Sequence, residues 1–223
     1  CDPNETVITK KWRFVVDYKP LNQFMENLHY PVPDVNQLFT ALGSHNQYFA
    51  TIDLRLGYHH IPMAGDARRR TAFVTPMGQF QFKVMPFGLK RAPRIFQQAM
   101  EKILQPILGK GCLVYIDDII VFGKTFSEFL SNLRQVIQLL ANAGAAISID
   151  KSYFLAEQMA YLGHIIDAKG IRPNPAAVAA VKEHPVPTTK KQLQHFIGLA
   201  SYVRRFVPTF ATYEKILRQA IVH

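Results

Sequence analysis

Leu113-Val114-Tyr115-Ile116-Asp117-Asp118-Ile119-Ile120-Val121-Phe122 is the stretch on which the fold turns. Apolar residues flank two adjacent carboxylates on each side, a pattern that predicts two strands joined through the acidic pair. Neighbouring carboxylates repel one another, and partial burial raises the energy of keeping both ionised. A two-residue hairpin turn also prefers Asn-Gly or Asp-Gly, where a positive φ is easily reached. Asp-Asp is a poor choice for such a turn, so the pair needs another role. Mg²⁺ offers one, because this hard ion is held by one or two carboxylates plus substrate phosphates. Carboxylates at neighbouring strand ends can hold two ions about 3.5–4 Å apart, which suits the attacking and leaving oxygens of a phosphoryl displacement. Asp53, at the end of the apolar run Tyr48-Phe49-Ala50-Thr51-Ile52, is a third candidate, and by itself it also reads as an ordinary turn residue.

Composition sets the bounds around that stretch. The chain has 223 residues, enough for one large domain or two small ones with a working core. Apolar residues at 48% and charged residues at 19% exclude a disordered chain. Only Cys1 and Cys112 are present, which excludes a disulfide framework and points to a reducing compartment. No apolar run approaches the roughly 20 residues of a membrane span, so no membrane partner is expected. The first residues contain no initiator Met and no signal peptide, and the chain is expected to be a piece of a longer one. With 26 Lys and Arg against 16 Asp and Glu, the formal charge is +10, which favours a polyanionic partner without naming it.

Along the chain, residues 10–33 read as short and extended, with β-formers from Trp12 to Tyr18 and with Pro31 and Pro33 stopping any helix. Thr71 to Met85 alternates like a hairpin turning at Pro76-Met77-Gly78. Helices are predicted at about residues 93–108, with Pro93 in the first turn, and 125–143, with a capping box of Thr125 and Glu128 and a stop at Gly144. After Ile166 the turns Asp167-Ala168-Lys169-Gly170 and Pro173-Asn174-Pro175 lead into helical sequence. There Thr189 and Gln192 cap a helix with Leu193, Phe196, Ile197, Ala200, Val203 and Val207 on one face and Lys190, Lys191, Gln194, Arg204 and Arg205 on the other. Strands mixed with helices, followed by helices alone, make an α+β body with a helical appendage.

At this point the residues resemble a known family. Tyr115-Ile116-Asp117-Asp118 resembles the Tyr-x-Asp-Asp signature of reverse transcriptases, and Ile52-Asp53-Leu54-Arg55-Leu56-Gly57-Tyr58-His59 resembles their first catalytic-aspartate motif. Met85 to Gln97 is similar to the motif that contacts nucleotide and template, Trp12 to Asn22 to the fingers segment, and Tyr161-Leu162-Gly163-His164-Ile165-Ile166 to the primer grip. All five come in the family's order, in the style of gypsy-like long-terminal-repeat retrotransposons and retroviruses.

The resemblance implies an α+β, right-hand polymerase core with an antiparallel palm sheet backed by helices. Fingers would take residues 1–47 and 64–85, palm 48–63 and 86–167, and a helical thumb 168–223. Asp53, Asp117, Asp118 and the Leu54 carbonyl would hold two Mg²⁺ ions, with Mn²⁺ able to substitute. Lys151 would protonate the departing pyrophosphate, although a Lys after a strand also reads as merely solvated. Arg13 and Lys11 would meet the dNTP phosphates, and Phe87 and Gly88 would lie by nucleotide and template. Tyr58 would exclude a 2′-hydroxyl, its alternative being a core aromatic. Tyr115, Ile116, Leu162, Gly163 and His164 would face nucleic acid. Arg204 and Arg205 would meet the duplex backbone or simply form a solvated face. His59 and His60 read as structural.

The implied partners are an RNA template, a DNA primer, the RNA–DNA hybrid and dNTPs. Fusion to protease, RNase H and integrase domains is expected, in an intracellular, cytoplasmic setting within retroelement particles. Three departures stand out: Arg91 replaces the Asn usual before Ala-Pro, Thr6 stands near a usual lysine with Lys10 and Lys11 beside Trp12 instead, and Arg68-Arg69-Arg70 is unusually basic. Two rivals remain at this stage: a degraded or domesticated element that binds RNA without polymerising, and a non-enzymatic module whose sheet presents stacking aromatics to single-stranded RNA.

Overall fold

The computed structural model describes residues 14–43 and 45–222. In chain order it runs α1 (Lys19–Gln23), α2 (Val35–Leu42), β1 (Tyr48–Ile52), a 3₁₀ turn (Gly57–His60), α3 (Gly65–Arg69), β2 (Phe73–Thr75), β3 (Gly78–Phe80), α4 (Ala92–Leu104), β4 (Cys112–Tyr115), β5 (Asp118–Gly123) and α5 (Phe126–Asn142). A second 3₁₀ turn (Ile149–Lys151) leads to β6 (Tyr153–Ala156), β7 (Gln158–Tyr161), β8 (His164–Asp167) and β9 (Gly170–Pro173). Then come α6 (Pro175–Lys182), α7 (Lys190–Ser201), a third 3₁₀ turn (Arg204–Phe206) and α8 (Phe210–Val222). Among the described residues no helix is long and apolar enough to cross a membrane.

The main sheet is four-stranded in the order β4-β5-β1-β6, and all its pairings are antiparallel. Period-two alternation divides the core between its faces. Ala50, Ile52, Val114, Ile119 and Val121 pack on one side with Phe96 and Met100 of α4 and Phe129 and Val136 of α5. Phe49, Leu113, Ile120 and Phe122 pack on the other with Leu38 and Phe39 of α2 and Met159 and Tyr161 of β7. Phe49 and Phe122 are buried, so the sheet does not present these aromatics to a single strand as the binding-module reading required.

Helix ends follow local chemistry. Thr125 accepts from the Glu128 N–H at 3.2 Å, but the Glu128 carboxylate reaches back to the Lys124 N–H and not to that of Thr125. Gly144 (φ 72°) ends α5 with the paired bonds of a left-handed cap, Gly144 to Ala141 and Ala145 to Leu140. Thr189 and Gln192 form the full capping box on α7.

Three expectations change. Residues 14–18 join no strand, and the segment is held by buried Tyr18, which donates its hydroxyl to the Thr71 carbonyl at 3.2 Å. The turn at residues 168–169 does not open the all-helical part. Asp167 pairs with Gly170, and β7-β8-β9 form a separate three-stranded sheet, so the purely helical chain starts after Pro173. α7 ends at Ser201, which puts Arg204 and Arg205 on a 3₁₀ turn and not on a continuous helix face.

Candidate active site

The site forms where the β1 and β4–β5 ends meet. β1 and β5 pair with Ile52 opposite Ile119, so the chain leaves β1 at Asp53 beside the start of β5 at Asp118. Tyr115 pairs with Asp118, which leaves Ile116 and Asp117 as the two-residue turn. The acidic pair is therefore split: Asp117 lies in the turn, while Asp118 begins a strand. This relieves the turn-chemistry objection to Asp-Asp, because the left-handed position is occupied by Ile116 (φ 56°). A β-branched residue in that region is a true outlier, and such strain gathers at functional sites. Leu56 (φ 53°) after Asp53 and Leu162 (φ 46°) across the crevice are also left-handed.

The backbone of Asp53 is clamped on both sides. Its N–H donates to Ser152 Oγ at 3.0 Å, the Ser152 hydroxyl donates to the Ser148 carbonyl at 2.7 Å, and the Ser148 N–H returns to the Asp53 carbonyl at 2.8 Å. Leu54 bridges Ile147, with hydrogen bonds made by its neighbours: Ser148 N–H to Asp53 and Arg55 N–H to Ala146. In such a pair the carbonyl of Leu54 itself points away from Ile147.

Electrostatics link the carboxylates. The Asp118 carboxyl is held above its ordinary range, first by the protein packed around it and then by the charges of Asp117 and Asp53. Burial raises the Tyr58 phenol, and the Asp117 charge adds to it, which puts Tyr58 within reach of the turn. Tyr161 is raised by burial and by Asp118, and its hydroxyl donates to the Asp118 carbonyl at 3.3 Å. Asp53, Asp118, Lys151, Tyr161 and Leu162 line one crevice of about 120 Å³.

The donor set suits a divalent cation in part. Three carboxylates load one another with negative charge, and among the described residues none of them sits in an ion pair. Among the described residues no group of three or more His, Cys, Asp or Glu side chains stands ready to hold a metal ion. Substrate oxygens would have to complete any such site, as is usual for Mg²⁺.

Tyr58, Phe87, Gly88, Gly163, His164, Arg204 and Arg205 are not among the residues that line this crevice. Tyr58 rests on Phe87 (centroids 5.3 Å apart) and edge-on to Phe96 (5.2 Å). Gly57 allows that approach, since a Cβ there would lie 2.9 Å from the Phe96 ring. Gly88 (φ 90°) is pinned by Asn22, whose side-chain amide donates to the Gly88 carbonyl and accepts from the Lys90 N–H, both at 2.8 Å. Tyr115 and Ile116 are half-buried, and the Leu162-Gly163 turn closes the β7–β8 hairpin. His164 is only 8% exposed, bonded to the Leu162 carbonyl at 2.9 Å and packed against Phe39 and Phe206, so its side chain supports the turn and offers no open surface.

Arg204 lies over Phe210 and 4.0 Å from Glu214, and Arg205 lies over Phe39. His60 is bonded through one ring nitrogen to the Gly57 carbonyl and through the other to the Ala146 N–H, a structural role as expected. Arg91 precedes α4 without a side-chain cap, and its Nε is buried with no hydrogen-bond partner among the described residues. Lys11 and Arg13 lie outside the described residues.

Sequence reasoning missed Ser152, Asn22 and the Tyr161 hydroxyl, whose bonds join distant segments. It also missed Gln97, a buried polar residue on the apolar face of α4. That polar break was the one local signal available.

The family model described as "Reverse transcriptase (RNA-dependent DNA polymerase)" matches residues 2–166. Over 205 residues the chain is 42% identical to the "Retrovirus-related Pol polyprotein from transposon 297" of Drosophila melanogaster, an alignment covering 92% of this chain and 19% of that protein. The chain thus spans about a fifth of the length of that curated relative. The solved "foamy viral protease-reverse transcriptase dRH in complex with ds DNA" superposes with a TM-score of 0.84 at 30% identity, covering 95% of this chain and 37% of that one. The "foamy viral protease-reverse transcriptase in complex with RNA/DNA hybrid" gives 0.79 at 29%, covering 97% and 29%.

Proposed function

This chain belongs to the reverse transcriptase family, and on that premise we propose that it is the polymerase core of a retroelement polyprotein, adding deoxynucleotides to a primer 3′-hydroxyl opposite an RNA template. The supporting observation is the convergence of Asp53, Asp117 and Asp118, read from the β1–β5 register and from the mutual charge that raises the Asp118 carboxyl.

Two Mg²⁺ ions, or Mn²⁺ in their place, would be held by Asp53, Asp117, Asp118 and the Leu54 carbonyl, and when bound would neutralise the reacting phosphate oxygens and activate the hydroxyl. The residues themselves position and exclude. Lys151, on the crevice wall, serves as proton donor to the leaving pyrophosphate. Tyr58, braced by Phe87 and Phe96, closes the sugar pocket against a 2′-hydroxyl. Phe87 and Gly88 flank nucleotide and template, and Arg13 with Lys11 takes the triphosphate, where a guanidinium fork matches phosphate oxygens. Tyr115, Ile116, Leu162 and Gly163 face the primer end, while Arg204 and Arg205 approach the duplex backbone.

In this reading residues 48–63 and 86–167 are the palm, residues 1–47 and 64–85 the fingers, and residues 168–223 the thumb. The chain works inside the cell, joined to protease, RNase H and integrase domains. Primer extension on an RNA template tests it. Mg²⁺-dependent incorporation of dNTPs over ribonucleotides is expected, lost in Asp53→Asn while hybrid binding persists. Hybrid binding without incorporation by the unmodified chain would replace this reading with that of a binding-only element.

A further inference from the structure

Among the buried residues of α4, Gln97 alone is polar, and it is fully enclosed with Phe96 and Met100 beside it. Its amide spans Tyr115 of β4: Oε1 accepts from the Ile116 N–H, and Nε2 donates to the Val114 carbonyl at 3.2 Å. β4 is the outer strand of its sheet, and Tyr115 makes the last pairing with β5, so the polar groups of Val114 and Ile116 on either side face outward. Gln97 gives that bare edge the two bonds that a peptide group of a further strand would give.

The amide has one orientation. A carboxylate only accepts, and Glu101 Oε1 takes the other Nε2 hydrogen at 2.6 Å. The second Glu101 oxygen accepts from the Tyr30 hydroxyl, which ties the set to the segment before α2. Oε1 of Gln97 is thereby committed to Ile116, the left-handed residue immediately before Asp117.

We propose that Gln97, oriented by Glu101 and Tyr30, is a positioning residue that holds the strained Ile116-Asp117 turn in its reactive shape. The claim about the turn stands on the hydrogen bonds, and the claim about reactivity rests on the polymerase reading above.

The test uses the full 223-residue chain and two readouts, amide hydrogen exchange and single-turnover primer extension. In Gln97→Met, which keeps the volume, exchange at Ile116 is expected to speed up about 100-fold while the mid-sheet Val121 amide stays within about threefold. The extension rate is expected to fall about 100-fold with hybrid affinity within about twofold, the scale of a small misplacement of reacting groups. Unchanged exchange at Ile116, or equal acceleration at Ile116 and Val121, would overturn the proposal. If Gln97→Met does not fold, Glu101→Gln carries the test, because an amide free to flip should raise Ile116 exchange about tenfold, and no change there overturns the orienting role. If the unmodified chain extends no primer, the polymerase reading falls, and the exchange results alone decide whether Gln97 holds the turn.

Discussion

The β4–β5 and β7–β8 hairpins share one plan and meet at one crevice, yet they are held in shape by different means. Each has two turn residues, Ile116-Asp117 in the first and Leu162-Gly163 in the second. In the second, both central residues are left-handed (φ 46° and 76°), and Gly163 adopts that conformation at no steric penalty. In the first, only Ile116 is left-handed, no glycine helps, and the compensation comes from a helix through Gln97. Where a turn must carry a carboxylate, its conformation is enforced by tertiary contacts in place of turn chemistry. Tyr161 then couples the two hairpins by its bond to the Asp118 carbonyl.

The sharpest way to break this comparison is to exchange acidity for shape. Asp117→Asn should lower incorporation by on the order of 10³-fold, since it removes a carboxylate that would hold the cations neutralising the reacting phosphate, whereas Leu162→Ala should lower it by about tenfold or less. Equal losses in a primer-extension assay would mean that the two turns contribute alike.

Stability should respond in the opposite place. Gly163→Ala forces a second side chain into the left-handed region and should cost about 1–2 kcal/mol, a fall in Tm of roughly 2–8 °C for a chain of this size. Thermal unfolding followed by circular dichroism would show it, and an unchanged Tm would mean the hairpin does not depend on its glycine.

The smallest effect is a pH dependence. In the cation-free chain the Asp118 carboxyl binds its proton more tightly folded than unfolded, so its ionisation opposes folding. Stability should therefore fall as pH rises from the ordinary carboxylate value through the raised one, and recover on acidification. Asp118→Asn should raise the neutral-pH Tm of the cation-free chain and flatten that slope. A lower Tm in Asp118→Asn would show that its charge is already compensated by the fold.

Much of the main sheet and its helices was legible because the signals are local. The apolar run Tyr48–Ile52 became β1 with its expected ends, and Thr189 with Gln192 capped α7 as their spacing requires. The β7-β8-β9 sheet was harder to see because its strands are four residues each and their identity comes from pairing with one another. The enclosure of His164 by Phe39 and Phe206 was equally hidden, because both rings come from distant segments of the chain.

By itself, the sequence determined that two adjacent carboxylates would interrupt a pair of apolar strands, and it raised the expectation of a cation and a phosphate substrate there. Those conclusions rest on charge repulsion, burial and strand propensity, which act over a few neighbouring residues. The tertiary structure alone decided that Asp53 stands beside Asp118, that Asp117 sits in the turn while Asp118 begins a strand, and that Gln97 holds the residue between Tyr115 and Asp117. Strand register and the burial of a helix face are set by the packing of the whole core, so no short window of residues encodes them.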